Sequence, residues 1–276
     1  MPPHDPATPS PPEEPAAPDR PSVRWVGHAT TVIEVDAVRL LTDPVLLPDV
    51  TPLVHHRSLE VATLDPRQRI DAVLISHAHH EHLDLPSLRL LPRDTLILVP
   101  QGLGQWMARR GFRHVEEMTV GQSLDIGRVR VTATHAAHGG ARLPFGPRAH
   151  ALGYLVQGTV AVYFAGDTEI FEEMRAIPRA LDTPLAMALL PVGGWGPTLR
   201  SGHMDPRRAA SALRLLRPAQ AIPIHWGTYW PRGLARLRPE RFHQPGTTFA
   251  TESAEAAPEV RIDVLRPGES SLVAGT

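Results

Sequence analysis

Four times in this chain a short apolar run stops abruptly at a histidine or an aspartate. DAVLIS (71–76) ends at His77, RVRVTAT (128–134) at His135, VAVYFAG (160–166) at Asp167 and QAIPI (220–224) at His225. Runs this short, bounded by turn residues and rich in Val, Ile and Leu, read as buried strands. Metal-ligating side chains at the ends of several strands converge only if those ends share one rim of a rigid sheet scaffold. The fold must therefore gather strand ends.

The rest of the chain fits such a scaffold. VRWVGHATTVIEV and VRLLTDPV read as opening strands, TLILVP as another, and ALGYLVQGTVAVYFAGDT as a hairpin turning at Gln157-Gly158. LDLPSLRLLP, GLGQWMARRG and DPRRAASALRLLRP read as helices; the last has Asp205 as cap and Pro206 at its first position. Strands come in runs with helices inserted, which predicts two sheets covered by helices and not a strict βαβ repeat. Residues 1–21 carry nine prolines and almost no large apolar side chain, the composition of a disordered tail. Residues 22–276 then form a single domain, the size expected for one large α/β core.

Composition excludes several chemistries. All 28 basic residues are Arg, so a Schiff-base lysine and a phosphate-loop lysine are both ruled out. Cysteine is absent, which removes disulfides, thiolate ligands and a thiol nucleophile. A metal here must be held by His and carboxylates, a set suited to zinc, manganese or iron. Net charge is -1, giving no field to attract nucleic acid, and no apolar run is long enough to span a membrane. The expectation is a cytoplasmic protein without nucleic-acid partner or stable membrane insertion.

The segment SHAHHEHLD (76–84) crowds His77, His79, His80, Glu81 and His82 behind the DAVLI strand. In extended chain His77 and His79 point to one side and can reach one ion, while Glu81 and His82 lie where the chain turns. SHAHHEHLD resembles the H-x-H-x-D-H signature of the metallo-β-lactamase superfamily of metal-dependent hydrolases. WVGHATTVIEV…LLTDPVL, FAGDT and PIHWGTY are similar to its opening strands, bridging-aspartate strand and final-histidine loop. GHMDPRRAA resembles a histidine-led helix of the branch with N-acyl-phosphatidylethanolamine phospholipase D and L-ascorbate 6-phosphate lactonase. The resemblance covers roughly residues 23–270.

It implies an αββα four-layer sandwich, two mixed β-sheets flanked by helices. It implies two divalent metal ions, zinc or else manganese or iron. His77, His79 and His135 would hold the first; Glu81, His82 and His225 the second; Asp167 would bridge. His138 competes with His135, and position relative to the strand favours His135. Glu81 stands where the family usually has Asp, and either ligates or takes a base role. His203 either caps the helix at 205–216 or faces the pocket and moves a proton; His28 and Asp43 are expected to orient ligands. The implied activity is hydrolysis by metal-bound hydroxide of an ester-type bond, a phosphodiester or lactone, in a small-molecule or lipid-like substrate. The loops 46–58, 139–150 and 192–203 would close the pocket, with Arg142, Arg148 and Arg200 as anion clamps and Phe145, Trp195 and Trp226 as apolar wall. An iron-dependent oxidoreductase of the same fold and a non-catalytic binding protein are the alternatives.

Overall fold

The computed structural model describes residues 20–47, 55–57, 64–65, 68–142, 145–193, 202–231 and 239–274. Almost all of the segment expected to be a tail lies outside them, as do most of 192–203 and much of 46–58. The strands begin with β1 (Ser22–Gly27), β2 (Thr30–Val35), β3 (Val38–Thr42), β4 (His55–Arg57), β5 (Ala72–Leu74), β6 (Leu96–Pro100) and β7 (Val115–Met118). There follow β8 (Ser123–Ile126), β9 (Val129–His135), β10 (Leu152–Gln157), β11 (Ala161–Phe164) and β12 (Leu185–Pro191). The last are β13 (Gln220–Ile224), β14 (Tyr229–Pro231), β15 (Arg261–Ile262) and β16 (Ser270–Leu272). Helices are α1 (Leu85–Leu88), α2 (Gly104–Ala108), α3 (Pro206–Leu216), α4 (Pro239–His243) and α5 (Pro245–Ala256).

Two mixed sheets result, ordered β16-β1-β2-β3-β5-β6-β7 and β15-β13-β12-β11-β10-β9-β8, with β14 and β4 paired apart. Alternation along the strands builds three apolar layers. Ile33 and Val35 of β2, Tyr154 and Val156 of β10, and Met187 and Leu189 of β12 meet between the sheets. Val32, Leu41, Val73 and Val99 face outward under Leu88 and Met107 of the first two helices. Leu155, Ala188 and Leu190 face the other way, under Ala209, Leu213 and Phe249 of α3 and α5. Helix, sheet, sheet, helix: the four expected layers are present.

Strand direction decides where the site lies. β3, β5, β6 and β7 run parallel, as do β11, β12, β13 and β15. β1 is antiparallel to β2 and β2 to β3, so β1 points the same way as β3. By the same count β9 points with β11. Within each sheet the carboxyl ends of β1, β3 and β5, and of β9, β11 and β13, lie on one edge, and contacts of His77 with Asp167 and of His225 N with His28 O join the two edges into one rim, where ligands bind in open α/β sheets. His28, Asp43, His77, His138, Asp167 and His225 each follow one of these ends.

Candidate metal centre

The SHAHHEHLD loop leaves β5 and closes a turn in which His82 N and Leu83 N both donate to His79 O, at 3.2 and 2.8 Å. A buried guanidinium braces it: Arg142 Nη1 donates to Ala78 O at 3.0 Å and Leu83 O at 2.7 Å, and Arg142 Nη2 lies 2.9 Å from His80 Nδ1. Arg142 is 9% exposed. In place of the expected anion clamp it serves as a brace, with both terminal nitrogens engaged by the loop.

Four site imidazoles are anchored at Nδ1 and turn Nε2 toward the centre. His82 Nδ1 lies 2.7 Å from Asp43 Oδ2, His225 Nδ1 2.9 Å from Gly193 O, and His138 Nδ1 2.7 Å from Gly202 O. Ser76 Oγ donates to Asp43 Oδ2 at 2.6 Å and so can accept from His77 Nδ1 at 2.9 Å. These acceptors take the Nδ1 side of each ring and turn Nε2 of all four inward.

These nitrogens converge in two places. His77 Nε2 lies 2.9 Å and His138 Nε2 3.3 Å from His79 Nδ1. Only His79 carries a proton that could be shared, so at least one contact opposes two lone pairs unless a cation sits between them. Asp167 forms the second focus: Oδ1 is 3.1 Å from His225 Nε2, and Oδ2 is 3.2 Å from His82 Nε2, 3.5 Å from His203 Nδ1 and 4.0 Å from His77 Nε2. Both Asp167 oxygens, His82 Nε2, His225 Nε2 and His203 Nδ1 are buried without a hydrogen-bond partner. Orphaned buried donors and acceptors of this density are costly, and metal coordination would satisfy them together. The residues fit the implied ions.

Electrostatics agrees. Burial pushes His77 and His138 below their ordinary values, and His79 and His203 down to about 4, keeping these rings neutral as ligands require. Burial opposes a charge on Asp167, but His225, His82 and His203 outweigh it and hold the carboxyl well below its usual range. His82 is the exception: burial works against its charge, but Asp167 and Asp43 on its two sides overcome it and raise its pKa, so an ion bound there would take the place of the proton on Nε2.

Two expected ligands are placed elsewhere. His135 continues the β9 ladder opposite Leu152, remains exposed, and stacks edge-on to Phe171 at 4.9 Å. The chain turns inward only beyond it, where His138 N bonds to Ala136 O, and His138 completes the group with His77 and His79. This corrects the assignment of His135. Glu81 joins no convergent group of three donors among the described residues. Burial would raise its pKa, but the nearby His82 and His79 hold it lowered, a carboxylate beside the site. His203 does reach the centre, grouping with His138 and Asp167.

The expected wall is also revised. Trp226 stacks on Trp25 at 5.3 Å and Phe145 is 98% exposed; Arg148 is exposed, and Trp195 and Arg200 lie outside the described residues. Sequence reasoning gave His28 only a supporting part. It is buried, and its ring nitrogen lies within 4.8 Å of those of His82 and His225.

Residues 38–226 match the model of the beta-lactamase superfamily domain. The chain belongs to that superfamily. A UPF0173 metal-dependent hydrolase of Methanopyrus kandleri is 30% identical, over 90% of this chain and 98% of its own length. The solved structure of Igni18, a metallo hydrolase of Ignicoccus hospitalis, superposes with a TM-score of 0.69 at 24% identity, covering 91% of this chain and 97% of its own. CmlA, a diiron beta-hydroxylase of Streptomyces venezuelae, shares the fold at a TM-score of 0.67 and 20% identity, covering 92% of this chain and 54% of its own. The beta-lactamase fold thus accommodates more than one chemistry. Metal-dependent hydrolysis is the coarse activity that membership carries here, through relatives similar over most of their length.

Proposed function

We propose that this superfamily member hydrolyses an ester-type bond, a phosphodiester or lactone, in a small-molecule or lipid-like substrate. The observation that carries the reading is Asp167: a fully buried carboxylate with both oxygens unpartnered and four imidazoles within 4.0 Å. His77, His79 and His138 would hold one divalent ion, zinc by preference; His82 and His225 would hold a second, with Asp167 between. Ions bound there would supply an activated water and a Lewis acid for the electrophile.

The chain's own groups do the rest. Ser76, Asp43, Gly193 and Gly202 fix the rings so that little reorganisation accompanies binding. His203 is 13% exposed at its side chain and turns Nδ1 toward Asp167. Neutral near pH 7, its imidazole can hold or orient the attacking water through a hydrogen bond. The histidine-led helix supports the phosphodiester and lactone classes, since it resembles the branch in which those bonds are cleaved.

The test is elemental analysis of protein purified without a metal-chelating tag, followed by turnover of bis(p-nitrophenyl) phosphate and of aliphatic lactones. Two zinc ions with turnover of either substrate, abolished in Asp167→Ala, is the expected result. Bound iron with oxygen consumption and no hydrolysis would overturn it.

A further inference from the structure

We propose that His28 is a direct ligand of the second metal position, in the place expected for Glu81. That position becomes a three-histidine site, His28, His82 and His225, closed by Asp167. The proposal rests on the dinuclear reading above.

Three features point to it. Ring nitrogens of His28, His82 and His225 lie within 4.8 Å of one another, and the side chains are buried, at 6%, 0% and 5% exposure. Tetrahedral zinc–imidazole bonds of 2.0–2.1 Å place donor nitrogens roughly 3.3–3.4 Å apart, so a closing movement of at most about 1.5 Å seats the group on an ion. Glu81, the expected third ligand, belongs to no such group among the described residues.

The backbone is the second feature. His28, Asp43 and His225 have φ of 54°, 34° and 62°, the left-handed region that non-glycine residues avoid. Two of them are ligands in this proposal, and Asp43 orients the third, His82. Strain of this kind persists where surrounding structure over-determines it, commonly at ligand clamps. Here the restraint is visible: His28 O accepts from both His225 N at 2.8 Å and Trp25 Nε1 at 2.9 Å, just past the register shift in the β1–β2 ladder. One carbonyl therefore ties the two histidines to a common geometry.

The third is ring placement. His28 stands 3.9 Å from the ring of His225 and 5.6 Å from that of His82, centroid to centroid. An imidazole in place of a carboxylate leaves the shared Asp167 as the only anion at this position. That favours borderline ions such as zinc and cobalt over manganese or magnesium.

The experiment loads tag-free wild type, His28→Ala, His28→Asn and Glu81→Gln with Zn²⁺ or Co²⁺. Bound ions per chain, chelator competition and the cobalt visible spectrum are read. Asparagine tolerates left-handed backbone, so His28→Asn separates lost ligation from backbone change. Wild type and Glu81→Gln should each hold two ions. Both His28 variants should hold one, with affinity for the second lowered by about 100-fold or more and the cobalt spectrum altered. Two ions retained in His28→Asn, or one lost in Glu81→Gln, overturns the proposal and leaves the dinuclear reading intact. A wild type holding one ion overturns the proposal and leaves a mononuclear hydrolase. A wild type holding none overturns the reading and the proposal together.

Discussion

Asp43 shows how much of this site is done by residues that need touch no ion. Fully buried, it accepts from Ser76 N at 2.7 Å, from Ser76 Oγ at 2.6 Å and from His82 Nδ1, and through Ser76 it governs His77 as well. Asp43→Asn removes the charge but keeps the shape and the tolerance of left-handed φ. Metal affinity should fall about 10–100-fold with little change in fold, as read by competition with a chromogenic chelator. Affinity within twofold of wild type would show that Asp43 does not hold these rings. At this scale the sequence was most legible where spacing alone sets position, as for His77, His79 and His82. It misled where the answer depends on where a strand stops. His135 and His138 differ only in that β9 runs one residue further than the apolar pattern suggests, which leaves the first outside and brings the second in.

The elements that carry the site are short and depend on a few specific contacts. The turn between β5 and α1 has few backbone bonds of its own, and Arg142 supplies two carbonyls with donors from 59 and 64 residues away. Arg142→Met keeps the stem and leaves Ala78 O and Leu83 O unpaired, at about 1–3 kcal/mol for each group that stays buried. Amide exchange should accelerate across 77–83 and both metal positions weaken, while exchange in β10 and β12 stays slow. Uniform acceleration would mean that Arg142 stabilises the fold and not the turn. At α3, Asp205 accepts from Arg208 N at 2.8 Å. Asp205→Ala should cost about 1 kcal/mol, a drop of a few degrees in Tm by calorimetry. An unchanged Tm would remove the cap from the account. This cap was readable because Asp-Pro is a local signal. The Arg142 brace was not, because nothing within a few residues of an arginine says that its partners lie on another loop.

For the whole molecule, the two sheets were legible from runs of strands, and VRIDVLRPGES (260–270) reads as a last strand, but its division into β15 and β16, which end one sheet each, was not. Asp263 just after β15 joins them: Ser271 Oγ donates to it at 2.5 Å, and Gln220 Nε2 and the Arg261 guanidinium also bind it. Burial would raise the Asp263 pKa, but those hydrogen bonds outweigh it and depress it. A depressed carboxyl contributes stability fully present above its ordinary value, and the contribution is lost as pH falls through the lowered one. Wild type should therefore lose stability relative to Asp263→Asn as pH drops below about 4, the difference reaching a plateau above about 5. Parallel Tm–pH curves for the two proteins would contradict this.

The residues of the site divide by sheet. His28, Asp43, His77, His79 and His82 come from the half of the chain before β8, while His138, Asp167, His203 and His225 come from the half after it. Neither half holds a complete set, so the ions can be captured only after the two sheets have docked. Capture is then a late event in folding, closing loops of well over a hundred residues that are slow to meet. Once bound, an ion must leave before the halves can part, so it should act chiefly on the rate of unfolding and little on the rate of folding. Double-jump kinetics with and without zinc would read this as a flattened unfolding limb beside an unmoved refolding limb. Metal, on this account, is less a tenant of the finished fold than the latch that keeps its two halves from drifting open.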